Sequence, residues 1–148
     1  MSNINQLVME SINSKCHLAP MDVNFLKSIK DYNEMYYKEH KKNHYYTLIC
    51  NGKKVAIAGL LLEHNTPFFQ IAIHQNYRGQ DLLQTCSDLI VDKHNLDILN
   101  ATIEHNNISS IKAHKKVGFE MYHKQKIDWL IKNKKLEEGQ IRMFKKYK

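Results

Sequence analysis

Apolar residues change their spacing several times along this chain, and each change marks an element. After Pro20 and Asp22, which suit a helix start, Phe25, Leu26, Ile29, Tyr32 and Tyr36 fall on one face at steps of three and four, predicting a helix to about His40. Upstream, Ile4, Leu7, Val8 and Ile12 are spaced roughly as in a helix, but Asn3 to Ser14 is short and its type stays open. From Tyr45 the apolar residues close up into strand-like runs. Tyr45 to Cys50 and Val55 to Leu62 flank Asn51-Gly52, a pair that tolerates the positive φ of a tight hairpin turn. His64-Asn65-Thr66-Pro67 makes the next turn, and Phe68 to His74 is the third strand of the meander.

Helical spacing returns at Asp81 and runs to about His94, with Leu82, Cys86, Leu89 and Ile90 on one stripe, after which Leu96 to Glu104 reads as a strand. A strand–helix–strand unit places its two strands parallel with the helix over one face. From Asn107, a helix-capping residue, Ile108, Ile111 and Val117 outline another helix that Gly118 ends. Phe119 to Ile131 and Gln140 to Tyr147 lie on either side of the polar stretch Lys132 to Gly139. They read as a closing antiparallel pair, with Trp129 and Phe144 as packing residues. The order predicts one α/β domain over residues 1–148, built on a mixed sheet, with no internal repeat and no low-complexity region.

Composition narrows the function. A chain of 148 residues buries roughly two thirds of the surface its unfolded form exposes, so it needs no staples. Its three cysteines, an odd number without paired spacing, argue against a disulfide framework or a zinc site; Cys50 and Cys86 read as packed free thiols, which fits a reducing cytoplasm. No apolar run reaches the ~18 residues of a membrane span, and the start lacks the marks of a signal peptide. The net charge of +7 rests on twenty lysines and two arginines, Arg78 and Arg142. Spread in this way it fits solvated faces, or long-range attraction of an anionic ligand, better than a nucleic-acid interface.

The candidate chemistry sits between Phe68 and Glu120. Strand, glycine turn and helix follow one another through Tyr77-Arg78-Gly79-Gln80-Asp81, and the unpaired amides of a helix start favour an anion such as phosphate. Further on, Asn107, Ser110, Ile111, His114, Lys116, Gly118, Phe119 and Glu120 follow a pattern that resembles the closing motif of the GNAT superfamily of N-acetyltransferases. Ile73, Tyr77, Arg78 and Gly79 match the family's earlier motif, whereas Asp81 and Leu83 replace its second glycine and its last small residue. The resemblance implies a mostly antiparallel sheet with a central parallel pair and helices on both faces. It also implies that part of the N-terminal segment is an edge strand, and that acetyl-CoA is the co-substrate.

It further implies that the backbone of Ile73 and His74 holds the pantetheine arm and that Arg78, Gly79, Gln80, Asp81, Leu82 and Leu83 form the pyrophosphate loop. Asp81 admits two readings: its carboxylate turns aside and CoA binds, or it caps the helix amides and CoA is excluded. In the second case the chain is an inactive binding or regulatory module. Leu83 raises the same question, because a bulky side chain obstructs close approach of backbone. His114 matches the position that protonates the departing thiolate, a proton a histidine can supply near neutral pH. Asn107 and Ser110 hold the pantetheine arm or else cap their own helix. The base for the amine is open among Glu104, Glu63, His64 and water. The acceptor is a small-molecule or peptide amine, and the final strands allow a homodimer. No nucleophile elbow, phosphate-loop lysine motif or zinc-binding helix motif is present, and the pair His40 and His44 reads as surface.

Overall fold

The computed structural model describes residues 15–30 and 43–147. The open segment Asn3 to Ser14, and the stretch with Tyr32, Tyr36 and His40 that was expected to continue the first helix, lie outside the described residues; the described helix ends at Ser28, where Ile29 turns extended, instead of carrying Ile29 onward. Within them, β1 (Cys16–Pro20) precedes a short helix α1 (Val23–Ser28), capped by Asp22 Oδ1, which accepts from the Phe25 amide at 3.1 Å. β2 (Asn43–Cys50), β3 (Lys53–Glu63) and β4 (Thr66–Ile73) form the expected meander, turning at Asn51-Gly52 with φ of 53° and 78°. Then come α2 (Leu82–His94), β5 (Ile98–Glu104), α3 (Ile108–Lys116), the two-residue β6 (Glu120–Met121), α4 (Lys124–Lys132) and β7 (Gln140–Lys146).

The seven strands form one sheet in the order β1-β2-β3-β4-β5-β7-β6, antiparallel everywhere except between β4 and β5. One face carries Leu48, Ala56, Ala58, Leu60, Phe69, Leu99, Ala101, Ile103 and Met143, and packs on Leu82, Leu83, Cys86, Ile90 and Val91 of α2. The opposite face packs Ile57 and Ala72 against Leu26 of α1 and Ile29. A separate apolar cluster under α4 gathers Ile127, Leu130 and Leu136.

Two expectations are corrected. Phe119 to Ile131 is mostly helix, not a closing strand: Ile127, Leu130 and Ile131 sit three and four apart, so one helical face buries the first two and half-buries the third, while Trp129 on the other face is 47% exposed. Of the expected closing pair only Glu120–Met121 pairs antiparallel with β7, whose other edge pairs with β5. The case against a disulfide also fails, because Cys16 and Cys50 are bonded; antiparallel pairing of β1 with β2 sets them directly opposite. Cys86 is the buried free thiol that was expected, and burial pushes its pKa up.

β4 and β5 meet at a single register position, Phe68 with Asn100, and separate beyond it. Asn100 is 2% exposed; its Nδ2 donates to the Pro67 carbonyl at 3.2 Å, and its Oδ1 accepts from the Tyr122 hydroxyl at 2.6 Å. This amide holds the base of the fork. Asn100→Leu keeps the volume but orphans the Tyr122 hydroxyl and the Pro67 carbonyl, so urea unfolding should show a loss of about 1–3 kcal/mol. Adding Tyr122→Phe should recover part of it, and no recovery would contradict the clamp.

Candidate active site

The fork opens toward the turn between β4 and α2. Strand alternation directs the His74 amide to β3, where it donates to the Val55 carbonyl at 2.9 Å. The His74 carbonyl accepts from the Tyr77 amide at 2.9 Å. His74 backbone is thus committed to the protein itself, unlike the expectation that it grips a ligand. Ile73, one residue earlier, points its backbone toward β5, and its carbonyl accepts from Arg78 Nε at 3.1 Å.

Arg78 acts here as a brace. Its Nη2 donates to the Lys30 carbonyl at 2.7 Å, and Gln75 adds two bonds to the same corner, accepting from the Lys30 amide at 3.0 Å and donating to the Ser28 carbonyl at 3.3 Å. The turn is thereby latched to the end of α1, and the His74 ring stacks on Phe25 with centroids 5.7 Å apart. Gly79 takes φ of +83° with open space where a side chain would be, so backbone here stays accessible.

Asp81 occupies the cap position of α2 in the left-handed region, φ 57°, and its side chain makes no capping hydrogen bond. The carboxylate is 73% exposed and pairs with Lys116 Nζ of α3 at 3.6 Å. The first-turn amides of Leu82, Leu83 and Gln84 therefore keep the positive end of a thirteen-residue helix uncapped by that carboxylate. Leu82 and Leu83 are each 7% exposed and packed into the core under the sheet. Leu83 is spent on packing, and Gln80 is exposed in the turn.

Across the fork, Asn107 caps α3: its Oδ1 accepts from the Ser110 amide and from the Ser109 hydroxyl, both at 3.3 Å. His114 lies one turn after Ser110, 6% exposed, edge-on to Phe119 with centroids 5.1 Å apart. Its Nδ1–H donates to the Ser110 carbonyl at 2.7 Å, which leaves a lone pair on Nε2 in the neutral ring. Burial lowers the His114 pKa, and the bond to Ser110 only partly offsets this. Glu104 ends β5, exposed, and accepts from Gln140 Nε2 at 3.3 Å.

Sequence reasoning missed Asn100, Lys116 as the partner of Asp81, and Arg142. Arg142 of β7 lies half-buried, with Nη2 3.3 Å from Thr102 Oγ1 and 3.4 Å from the Lys135 carbonyl, and its guanidinium 4.7 Å from the Phe68 ring centroid. A polar residue inside an apolar strand, and one of only two arginines in a lysine-rich chain, were the available signals.

The acetyltransferase (GNAT) domain family matches residues 61–138, more than half of the 148-residue chain. The chain belongs to the GNAT acetyltransferase family. No curated protein matches its sequence. Among solved structures that share the GNAT fold, the Campylobacter jejuni N-acetyltransferase PseH in complex with acetyl coenzyme A is 10% identical with a TM-score of 0.65, covering 90% of this chain and 99% of that one. A Bacillus subtilis acetyltransferase in complex with CoA is 15% identical with a TM-score of 0.62, covering 90% and 99%. A chimera of the Vibrio cholerae spermidine N-acetyltransferase SpeG with hSSAT is 12% identical with a TM-score of 0.62, covering 89% and 95%.

The neutral His114 has a consequence for stability. Its folded-state pKa lies below the ordinary value near 6.5, so the unfolded chain binds the extra proton as pH falls below about 6.5. The stabilisation is complete above that value and is lost as pH drops toward the folded-state pKa. His94, lowered by burial and by His44 and Lys93, adds in the same direction. The urea midpoint should fall between about pH 7 and pH 5, and His114→Gln should flatten part of the fall. An unchanged slope in the variant would exclude His114 as a source.

Proposed function

We propose that this GNAT protein transfers an acetyl group from acetyl-CoA to the primary amine of a small molecule or peptide by direct attack, without a covalent enzyme intermediate. One observation carries the reading: the Asp81 carboxylate is drawn off by Lys116 rather than closing the amides at the start of α2. Acetyl-CoA supplies the activated acyl group as a thioester. The uncapped amides of α2, the open backbone at Gly79 and the positive charge of Lys116 suit a pyrophosphate at that end. The Ile73 backbone on the inner edge of the fork suits an extended amide-bearing arm.

The roles of the protein's own groups follow from their protonation. The motif gives His114 the protonation of the departing thiolate; with Nδ1–H committed to the Ser110 carbonyl, the buried neutral ring draws the proton for that step through Nε2. It accepts one at Nε2 from the attacking amine and then returns it to sulfur. The amine nitrogen forms the new C–N bond, the C–S bond breaks, and CoA leaves as the thiol. Glu104, exposed at the end of β5, attracts the incoming ammonium, which loses its first proton to solvent. Asn107 positions α3 by capping it. No helix among the described residues is long and apolar enough to cross a membrane.

Calorimetric titration with acetyl-CoA should give a micromolar to millimolar dissociation constant. Asp81→Gly, which removes a nearby like charge and suits the left-handed backbone, should tighten binding roughly three- to tenfold. No heat at millimolar acetyl-CoA in either protein would leave the alternative, a GNAT-fold binding module. His114→Ala should lower kcat by about 10²–10⁴-fold with acetyl-CoA affinity within a few-fold, measured as thiol release; an unchanged kcat would remove His114 from the proton path.

A further inference from the structure

Among the described residues, two buried side-chain atoms on the sheet face that carries α1 lack a hydrogen-bond partner: Gln70 Oε1, an acceptor, and Arg142 Nε, a donor. Buried polar atoms are normally paired, so two orphans of opposite kind on one face call for a shared explanation. Strand register sets them in one row. Thr102 of β5 pairs with Arg142 of β7, and the single contact of Phe68 with Asn100 puts Gln70 level with Thr102 across the fork. Gln70 in turn faces Gly59 of β3, where a Cβ would come within 2.8 Å of the Tyr45 ring. The row thus runs from an aromatic ring over a bare glycine to a buried amide, across the gap between β4 and β5, to a guanidinium.

The charges around it are arranged by sign. The Arg142 guanidinium lies 4.7 Å from the Phe68 ring centroid, with Nη2 turned to Thr102 and the Lys135 carbonyl, and its buried Nε–H has no partner. The Glu63 carboxylate acts on this guanidinium, and Glu104 projects from the same face of β5 as Thr102 and Asn100. One half-buried cation with carboxylates nearby matches a ligand that carries both signs.

We propose that this row is the acceptor site and that the acceptor bears a carboxylate beside its amine, as in an amino acid. The inference rests on the acetyl-transfer reading. The carboxylate accepts from Arg142 Nε–H, the amine donates one N–H to Gln70 Oε1, and the carboxylates of Glu63 and Glu104 draw the ammonium in. The deprotonated nitrogen then takes the acetyl group from sulfur, giving the N-acetyl amino acid and CoA thiol, with the surplus proton passing to His114 and on to sulfur. A polyamine, which offers a second ammonium to Arg142 and no carboxylate, suits the row poorly.

The test pairs each amino acid with its decarboxylated amine: L-lysine with cadaverine, and L-phenylalanine with phenethylamine. With acetyl-CoA saturating, kcat/KM for at least one amino acid should exceed that of its amine by about tenfold or more, and Arg142→Met should collapse that lead to about twofold or less, chiefly through KM. Arg142→Lys, which keeps the charge but loses the planar donor, should fall between. Retained heat of acetyl-CoA binding in both variants reports that the fold is intact. Equal use of both members of every pair, or a lead that survives in Arg142→Met, overturns the proposal. Should acetyl-CoA give neither heat nor turnover, the transfer reading fails by itself. Titrating the same amino acids and amines into the protein then decides the row: amino-acid binding that Arg142→Met abolishes upholds carboxylate recognition, and no binding overturns it.

Discussion

Two parallel strands that touch once and then part are the constraint on which the rest of this structure depends. A sheet normally satisfies each strand's backbone groups along its length, so separating β4 from β5 beyond Phe68 and Asn100 leaves inner edges that the sheet does not pair. The separation has to be held from both ends. At the base, Asn100 ties Pro67 of one arm to Tyr122 through its own amide. At the far end, Arg78 and Gln75 latch the turn after β4 to α1, and α2 bridges the two arms by burying Leu82, Leu83, Cys86 and Ile90 beneath both. A fork fixed in this way is a preorganised slot, because the conformational cost of opening it is met during folding rather than on binding.

The same economy explains why Asp81 is compatible with an anion site. A cap aspartate normally takes β-region dihedrals and bonds the amides of its own helix. Here the preceding Gly79, at φ +83°, and the left-handed Asp81 itself turn the chain so that the side chain leaves the helix axis, and Lys116 on α3 meets it across the mouth of the fork. The pair is exposed and contributes little to stability. Its consequence is electrostatic: it cancels the negative charge where a phosphate would be repelled.

Local chemistry was legible in the sequence, and long-range register was not. Asn51-Gly52 marked its hairpin because positive φ at two successive positions is a property of those residues alone. The stripe of α2 and the cap of α3 were equally local. By contrast, Cys16 and Cys50 become neighbours only through the register of β1 on β2, and residues 34 positions apart carry no spacing signal that reveals it. The stretch after Gly118 misled for another reason: Trp129, Leu130 and Ile131 form a continuous apolar run, and such a run does not separate strand from helix until the partners at Ile127 and Leu136 are known. In the site, the motif residues were found but their roles were not, because whether Arg78 faces a phosphate or the Lys30 carbonyl depends on α1, far away in sequence.

The two faces of the sheet also divide the work. Along β5, Leu99, Ala101 and Ile103 enter the core beneath α2, while the alternate residues Asn100, Thr102 and Glu104 form a polar file on the other side. β7 repeats the division with Met143 inward and Gln140, Arg142 and Phe144 outward. Because alternation has period two, no residue on these strands serves both faces, so Thr102, Glu104 and Arg142 can change without disturbing the packing beneath α2, whereas Asn100 in the same file is fixed by its bonds to Pro67 and Tyr122. A half-buried arginine with an unpaired donor is costly in such a file, and its contacts with Phe68, Thr102 and the Lys135 carbonyl leave that donor unmet. Packing on α2 therefore belongs to one face, while the other combines the Asn100 clamp and the α1 contacts with the polar file from which the proposed acceptor contacts are drawn.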